Sequence, residues 1–329
     1  MAKSQTKYWV GFDLGGTKML ANVYDNSFQA LSRVKEKTPV NDGPKAIQLK
    51  IRETIRKALK AAKIPIRSLS GIGVGCPGVL ALDQGLILEA PNLGWKRVAL
   101  QALLKEWFHC PVVLANDVDA GTYGEFRFGA GQQARTLLGV FPGTGIGGGC
   151  VYAGKLLRGK GGSAMEIGHI PVQENGRLCG CGKRGCLEAQ AGRLGISAEV
   201  AQAASRGEAP YLAANGGTDL KKLKSKLLAR SIKAGDTVVE QIVRNGMRLM
   251  GRGIGGVVNL LAPDMIVLGG GLVEAMPKLA VEEVRTGVNE TAMASFTKSL
   301  KVRSAKLGDD ATTMGAAALV AEGGQATHV

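Results

Sequence analysis

The sequence predicts two α/β domains, each built on a mixed sheet, and three observations carry that reading. The chain of 329 residues is longer than one small core requires. Short apolar runs that read as strands alternate with longer segments of helical period. The order of three strands, helix, strand, helix and strand begins again in similar form near residue 136.

Residues 8–14 and 18–24 read as strands joined by the turn Gly15-Gly16, with a third strand at 28–34. An amphipathic helix follows at 44–63, where Ile47, Ile51, Ile55 and Leu59 recur every four residues and basic residues fill the other faces. A buried strand at 71–75 runs into Cys76-Pro77-Gly78. A helix at 98–108 precedes a strand at 112–115, which ends at Asn116-Asp117, where another helix begins. Strands at 136–141 and 146–152 flank Pro142-Gly143-Thr144-Gly145. Residues 154–192 are loop-rich and carry cysteines, and helices dominate 194–261. A strand at 265–268 runs into Gly269-Gly270-Gly271, and a strand at 302–305 and a helix from 311 close the chain. Ligand loops in such sheets lie beyond the carboxyl ends of strands, and the glycine and acidic motifs fall there.

Composition narrows the class. Hydrophobic residues make up 45% and charged residues 21%, as in soluble globular proteins. No apolar run reaches the roughly 18 residues of a membrane helix, and the amino terminus lacks the apolar core of a signal peptide. A cytoplasmic protein without a membrane partner is expected. The net charge of +15 raises the question of a polyanion. Its excess is concentrated in 45–67 and 221–226, which both read as solvated helix faces. No aromatic interleaving offers a platform for bases, so no nucleic-acid partner is expected. A basic surface would also draw in an anionic phosphate donor.

Asp13-Leu14-Gly15-Gly16-Thr17-Lys18 is a candidate phosphate loop. Its glycines let backbone N–H groups approach phosphate oxygens, Thr17 and Lys18 add donors and charge, and Asp13 is suited to hold Mg²⁺ through water. Gly143-Thr144-Gly145-Ile146-Gly147-Gly148-Gly149 is a second candidate, and Gly269-Gly270-Gly271 a platform where a side chain would clash with a nucleoside. Each is also explicable as a tight turn, and the three in this order are more specific than any one. Asp117 suits both a helix cap and a general base that takes a hydroxyl proton during phosphoryl transfer. Asn92, Asn116, Glu166, His169 and Glu188 supply donors and acceptors that a polyol requires. Cys179, Cys181 and Cys186 lie within eight residues, with His169 upstream. Three thiolates and an imidazole make a closed tetrahedral zinc site of the structural type, which fixes a loop rather than doing chemistry. That loop carries Glu188 and follows Glu166.

These motifs together resemble the ROK family of bacterial sugar kinases and repressors, within the actin-like ATPase superfamily. The resemblance runs from Asp13 to Thr313-Met314-Gly315-Ala316-Ala317 and includes G-x-P-G at 75–78, P-N at 91–92, E-I-G-H at 166–169 and C-G-C-G-K-R-G-C-L-E at 179–188. It implies a two-domain, ribonuclease H-like fold with an interdomain cleft. The small domain would be 1–119 with 311–329, and the large domain 120–310. It implies ATP phosphates near Gly15, Gly16, Thr17, Lys18, Thr144 and Gly145, adenosine near Gly269–271, Asp117 as base, and sugar contacts from Gly78, Asn92, Asn116, Glu166, His169 and Glu188. Members are commonly homodimers or larger, and a homodimer is expected. The cysteine stretch looks most like glucokinases, although fructokinases and N-acetylmannosamine kinases share most motifs. Polyphosphate-using relatives generally lack the cysteines, so ATP is the expected donor. Repressor members carry a helix-turn-helix domain before the first phosphate loop. Only twelve residues precede Asp13 here, so an enzyme is expected.

Overall fold

The computed structural model describes residues 6–159, 162 and 164–323. In chain order its elements are β1 (Tyr8–Leu14), β2 (Lys18–Tyr24), β3 (Ala30–Lys37), α1 (Pro44–Ala61), β4 (Leu69–Cys76), β5 (Val79–Ala81), β6 (Leu86–Ala90), β7 (Trp95–Val98), α2 (Leu100–Phe108), β8 (Val112–Asn116) and α3 (Asp117–Phe128). Then come β9 (Leu137–Pro142), β10 (Ile146–Tyr152), β11 (Lys155–Leu156), α4 (Leu187–Ala191), α5 (Arg193–Ser205), α6 (Pro210–Asn215), α7 (Ser225–Lys233) and α8 (Thr237–Leu261). The last are β12 (Met265–Leu268), α9 (Gly270–Ala275), α10 (Pro277–Thr291), α11 (Ala294–Thr297), β13 (Lys301–Ser304) and α12 (Ala311–Ala321). The described residues divide into two compact units. One is drawn from Met1–Gln133, Gly149–Ala164 and Asp309–Val329, the other from Ala134–Gly148 and Met165–Gly308. No helix among the described residues is long and apolar enough to cross a membrane.

The first unit is organised by a sheet of order β3-β2-β1-β4-β8. β1 pairs antiparallel with β2 and parallel with β4, and β4 pairs parallel with β8. Alternation along β1 decides what covers each face. Val10 and Phe12 join Ile47, Ile51, Ile55 and Leu59 of α1 in one core, whereas Trp9 packs with Ala317 and Val320 of α12. α12 sits close because the strands beneath it are cut back: a Cβ at Gly11 or Gly73 would overlap the carbonyl of Thr313 or Ala316. It meets α3 through glycines in the same way, since a Cβ at Gly315 would overlap Ala120 and one at Gly124 would overlap Ala311.

In the second unit β12 lies between β9 and β13, parallel to both. The full strand order is β11-β10-β9-β12-β13. α8 and α10 approach at Gly251 and Gly287, where a Cβ on the first would lie 2.9 Å from the second's Cα. The buried Glu283 carboxylate bridges Arg244 at 2.7 Å and Arg248 at 2.9 Å, so the charge taken into that seam is paired on both oxygens.

Three features differ from the sequence expectation. Residues 79–98 form an additional antiparallel sheet, β5-β6-β7, whose strands are too short to show a period. The third strand starts at Ala30 rather than 28, because Phe28 takes a positive φ of 57° in the preceding turn. Residues 221–222 are a turn and 223–224 have no regular structure, with α7 beginning at Ser225. Within the basic run only Ser225 and Lys226 lie on a helix, and Lys221, Lys222, Lys224 and Lys226 border a cavity.

Candidate active site

The parallel pairing of β1, β4 and β8 sets Asp13 level with Gly75 and Gly75 level with Ala115. Asp117 begins α3 immediately beyond β8. The helix cap is its neighbour: Asn116 Oδ1 accepts from the backbone N–H of Val118 at 2.9 Å and of Asp119 at 3.3 Å. Asp117 Oδ1 also accepts from Val118 N–H, at 3.0 Å, so its carboxylate sits at the positive end of α3. A Cβ at Gly75 would lie 3.4 Å from Asp117 Cα, which keeps the strand end open beside it. Asp13 is largely buried, and its pKa is raised from 3.8 to about 7, chiefly by that burial and then by the charge of Asp117, with Lys18 opposing. Two carboxylates that repel each other at a strand end are oxygen donors suited to a hard cation.

This shift predicts a pH dependence. A folded Asp13 holds its proton more tightly than the unfolded chain does, so stability from this group falls as pH rises from about 4 to about 7 and is level above. At 1.36 kcal/mol per unit the full effect is roughly 4 kcal/mol. Asp13→Asn should thus gain stability relative to wild type across that window, as read by denaturant unfolding without nucleotide at pH 4 to 8. A constant difference across those pH values would contradict it.

The Gly15-Gly16 turn is closed by Gly15 N–H donating to Lys18 O at 3.0 Å. Thr38, beyond the end of β3, braces it from outside: its N–H donates to Thr17 O at 3.1 Å and its hydroxyl to Gly15 O at 2.7 Å. Asn92 lies beside this turn, since a Cβ at Gly16 would be 3.0 Å from Asn92 Cβ. Lys18 Nζ stands 3.2 Å from Asp309, which also takes Lys35 at 2.9 Å. The sequence reading missed Thr38 and Asp309. A pair of acids just before the final helix was the available signal for the second, and nothing marked the first. Gly78 holds φ +91° against the Glu89 carbonyl, so the backbone itself demands glycine there.

In the second unit the hairpin between β9 and β10 is tied to the start of α5. Arg193 N–H donates to Gly143 O at 3.2 Å and its guanidinium to Thr144 Oγ1 at 3.1 Å. Glu188 Oε2 accepts from Ile146 N–H at 3.0 Å, and a Cβ at Gly145 would overlap that carboxylate, so a side chain there requires Glu188 or the loop to move. Gly269 caps α9, and Gly270 has φ +77°, with a Cβ there only 2.8 Å from Pro142 O. Gly271 and Gly143-Thr144 border one cavity of about 930 Å³. Nearby, single bridges pair Pro171 with Cys186 and Leu178 with Arg184, and Gly182 and Gly185 turn with positive φ. These turns gather His169, Cys179, Cys181 and Cys186, whose ligand atoms all lie within 4.8 Å of one another. Cys179 Sγ is 3.6 Å from His169 Nδ1, and Cys181 and Cys186 sulfurs are 3.6 Å apart, close to the edge of a tetrahedron with bonds of about 2.3 Å. The donor set and spacing fit zinc. Glu188 Oε1 stands 3.9 Å from Cys179 Sγ, and Glu166 O accepts from His169 N–H at 2.9 Å, so both acids are attached to this cluster.

The ROK family sequence model matches residues 9–323. The chain belongs to the ROK family. This ROK protein is 33% identical over 318 residues to a glucokinase of Halalkalibacterium halodurans, with 95% of each chain covered. It superposes with a TM-score of 0.81 and 30% identity on a ROK family glucokinase from Streptomyces griseus solved with glucose and AMPPNP, covering 95% of this chain and 98% of that one. It is also 29% identical to a xylose repressor of Caldicellulosiruptor bescii, over 82% of this chain and 66% of the repressor. The α/β, actin-like fold expected from the motifs is the fold of these kinases.

Proposed function

We propose that this ROK protein is an ATP-dependent hexokinase that phosphorylates glucose at the C6 hydroxyl, with Asp117 as general base. The observation that carries the proposal is Asp117 at the end of β8, held by the α3 N-terminus and electrostatically linked to Asp13, in a chain similar along its length to glucokinases. As the sugar oxygen bonds to the γ-phosphorus, Asp117 accepts its proton and the bond to the β-phosphate oxygen breaks, leaving glucose 6-phosphate and ADP. Gly15, Gly16, Thr17, Lys18, Thr144 and Gly145 are assigned to the phosphates, and Gly269–271 to adenosine. Asp13 would hold Mg²⁺ through water, and the ion supplies neutralisation of phosphate charge. Gly78, Asn92, Asn116, Glu166, His169 and Glu188 are assigned to sugar hydroxyls. His169 turns Nδ1 to the cysteines, which leaves Nε2 for a hydroxyl. The protein is proposed to work in the cytoplasm as a homodimer, which sedimentation tests.

The test is kcat/KM for glucose, mannose, fructose and N-acetylmannosamine with saturating Mg-ATP. Glucose should lead. Mannose should fall roughly ten- to a hundredfold, for one or two mispaired hydrogen bonds at C2. Fructose or N-acetylmannosamine ahead of glucose would replace the sugar and keep the kinase. Polyphosphate matching ATP as donor would overturn the nucleotide assignment.

Zinc in the Cys179–Cys181–Cys186–His169 cluster is part of the same proposal. The purified protein should carry about one zinc per chain, as one closed site requires. Cys181→Ser should lower zinc content and raise KM for glucose, since Glu188 and His169 lose their anchor. Active enzyme without zinc on elemental analysis would refute the metal.

A further inference from the structure

Several basic groups in this chain are matched by acids. Arg33 meets Asp310 at 3.0 Å, Lys57 meets Glu36 at 2.7 Å and Arg252 meets Glu290 at 2.7 Å, beside the pairs already described. Other basic groups make no ion pair among the described residues, and six of these share one cavity wall. Arg193, Lys221, Lys222, Lys224, Lys226 and Arg230 all border the cavity of about 930 Å³ in the second unit. None of the six makes an ion pair among the described residues, and Glu274 is the single acid on the cavity wall. Like charges gathered on one concave surface repel one another and raise the local potential for anions. Mobile counterions balance these exposed charges in the free protein, and an anionic ligand seated in the cavity would displace them.

ATP accounts for part of this. Arg193 reaches Thr144, where the triphosphate is placed. The other five cations belong to the turn and helix beside Gly271, where a Cβ would lie 3.5 Å from Ser225 Oγ. A plain nucleoside offers no negative charge there, whereas a ribose phosphate does, with up to two charges and three acceptor oxygens. We propose that this cavity binds an adenine nucleotide carrying a second phosphate on its ribose, and that such a bisphosphorylated nucleotide competes with ATP. The inference rests on the kinase reading, because it takes Gly143-Thr144 and Gly271 as the nucleotide's seat.

The experiment measures dissociation constants of AMP, ADP, adenosine 3′,5′-bisphosphate and its 2′,5′ isomer by calorimetry and by competition with ATP. One of the two bisphosphates should bind at least about tenfold more tightly than AMP, as one added charge-assisted contact gives. Which isomer does so locates the ribose hydroxyl. The ratio should shrink with salt. In the exposed double variant K222Q/K226Q the ratio should approach one. Bisphosphates no better than AMP, or an unchanged ratio in the double variant, would overturn the inference while ATP turnover left the kinase reading intact. Absence of any nucleotide binding would remove both.

Discussion

Asp117→Asn should fold, bind sugar and lose about 10²–10⁴-fold in kcat, the usual cost of removing a positioned base. The amide is nearly the same shape, and its oxygen can still accept from Val118 N–H, as the carboxylate does at 3.0 Å. Asn116 continues to cap α3. What disappears is an acceptor for the hydroxyl proton. A second signature follows from the neighbouring acid. The charge of Asp117 is the second cause of the raised Asp13 pKa, so the variant should lower that pKa while the larger effect of burial stays. Stopped assays for kcat, and calorimetry for glucose affinity, separate the two functions of the site. More than about a tenth of wild-type kcat, well short of the expected loss, would show that another group takes the proton.

Gly145→Ala should cost about 10²-fold in kcat/KM, the scale of a misplacement of about 1 Å at a reacting site. The new Cβ overlaps the Glu188 carboxylate, which Ile146 N–H holds at 3.0 Å. Either Glu188 leaves that N–H or the loop shifts, and both disturb residues assigned to the substrates. Glu188 also stands 3.9 Å from Cys179 Sγ, so it moves beside the cluster without being one of its ligands. Zinc content and melting temperature should change little, because Glu188 is not among the four clustered ligands. Kinetics within twofold of wild type would mean that the loop absorbs the methyl group without moving its neighbours.

Much of this site was legible in the sequence because its signals are local. The spacing of His169, Cys179, Cys181 and Cys186 requires only short turns, and the structure gathers those residues into one cluster. The Gly15-Gly16 turn between two strands, the break at Asn116-Asp117 and the apolar stripe of α1 are likewise patterns within a few residues. The division of labour at Asn116-Asp117 was not legible. Both residue types cap helices, and only the backbone geometry assigns the cap to Asn116.

The sequence by itself thus determined the family, the α/β class and the identity of the local motifs. Tertiary structure alone decided which distant groups meet. Thr38 locks the Gly15 turn from the far end of β3, and Asp309 takes Lys18 from 291 residues away. Gly11 and Gly73 read in sequence as ordinary strand residues, yet each is open space that α12 fills. The basic run at 221–226 read as a solvated helix face, yet the chain turns its lysines onto a cavity whose wall carries six cations and one acid. The physical reason is the same in each case. Propensity and spacing act over a turn or a strand, whereas close packing and charge pairing depend on which backbones the completed fold brings together.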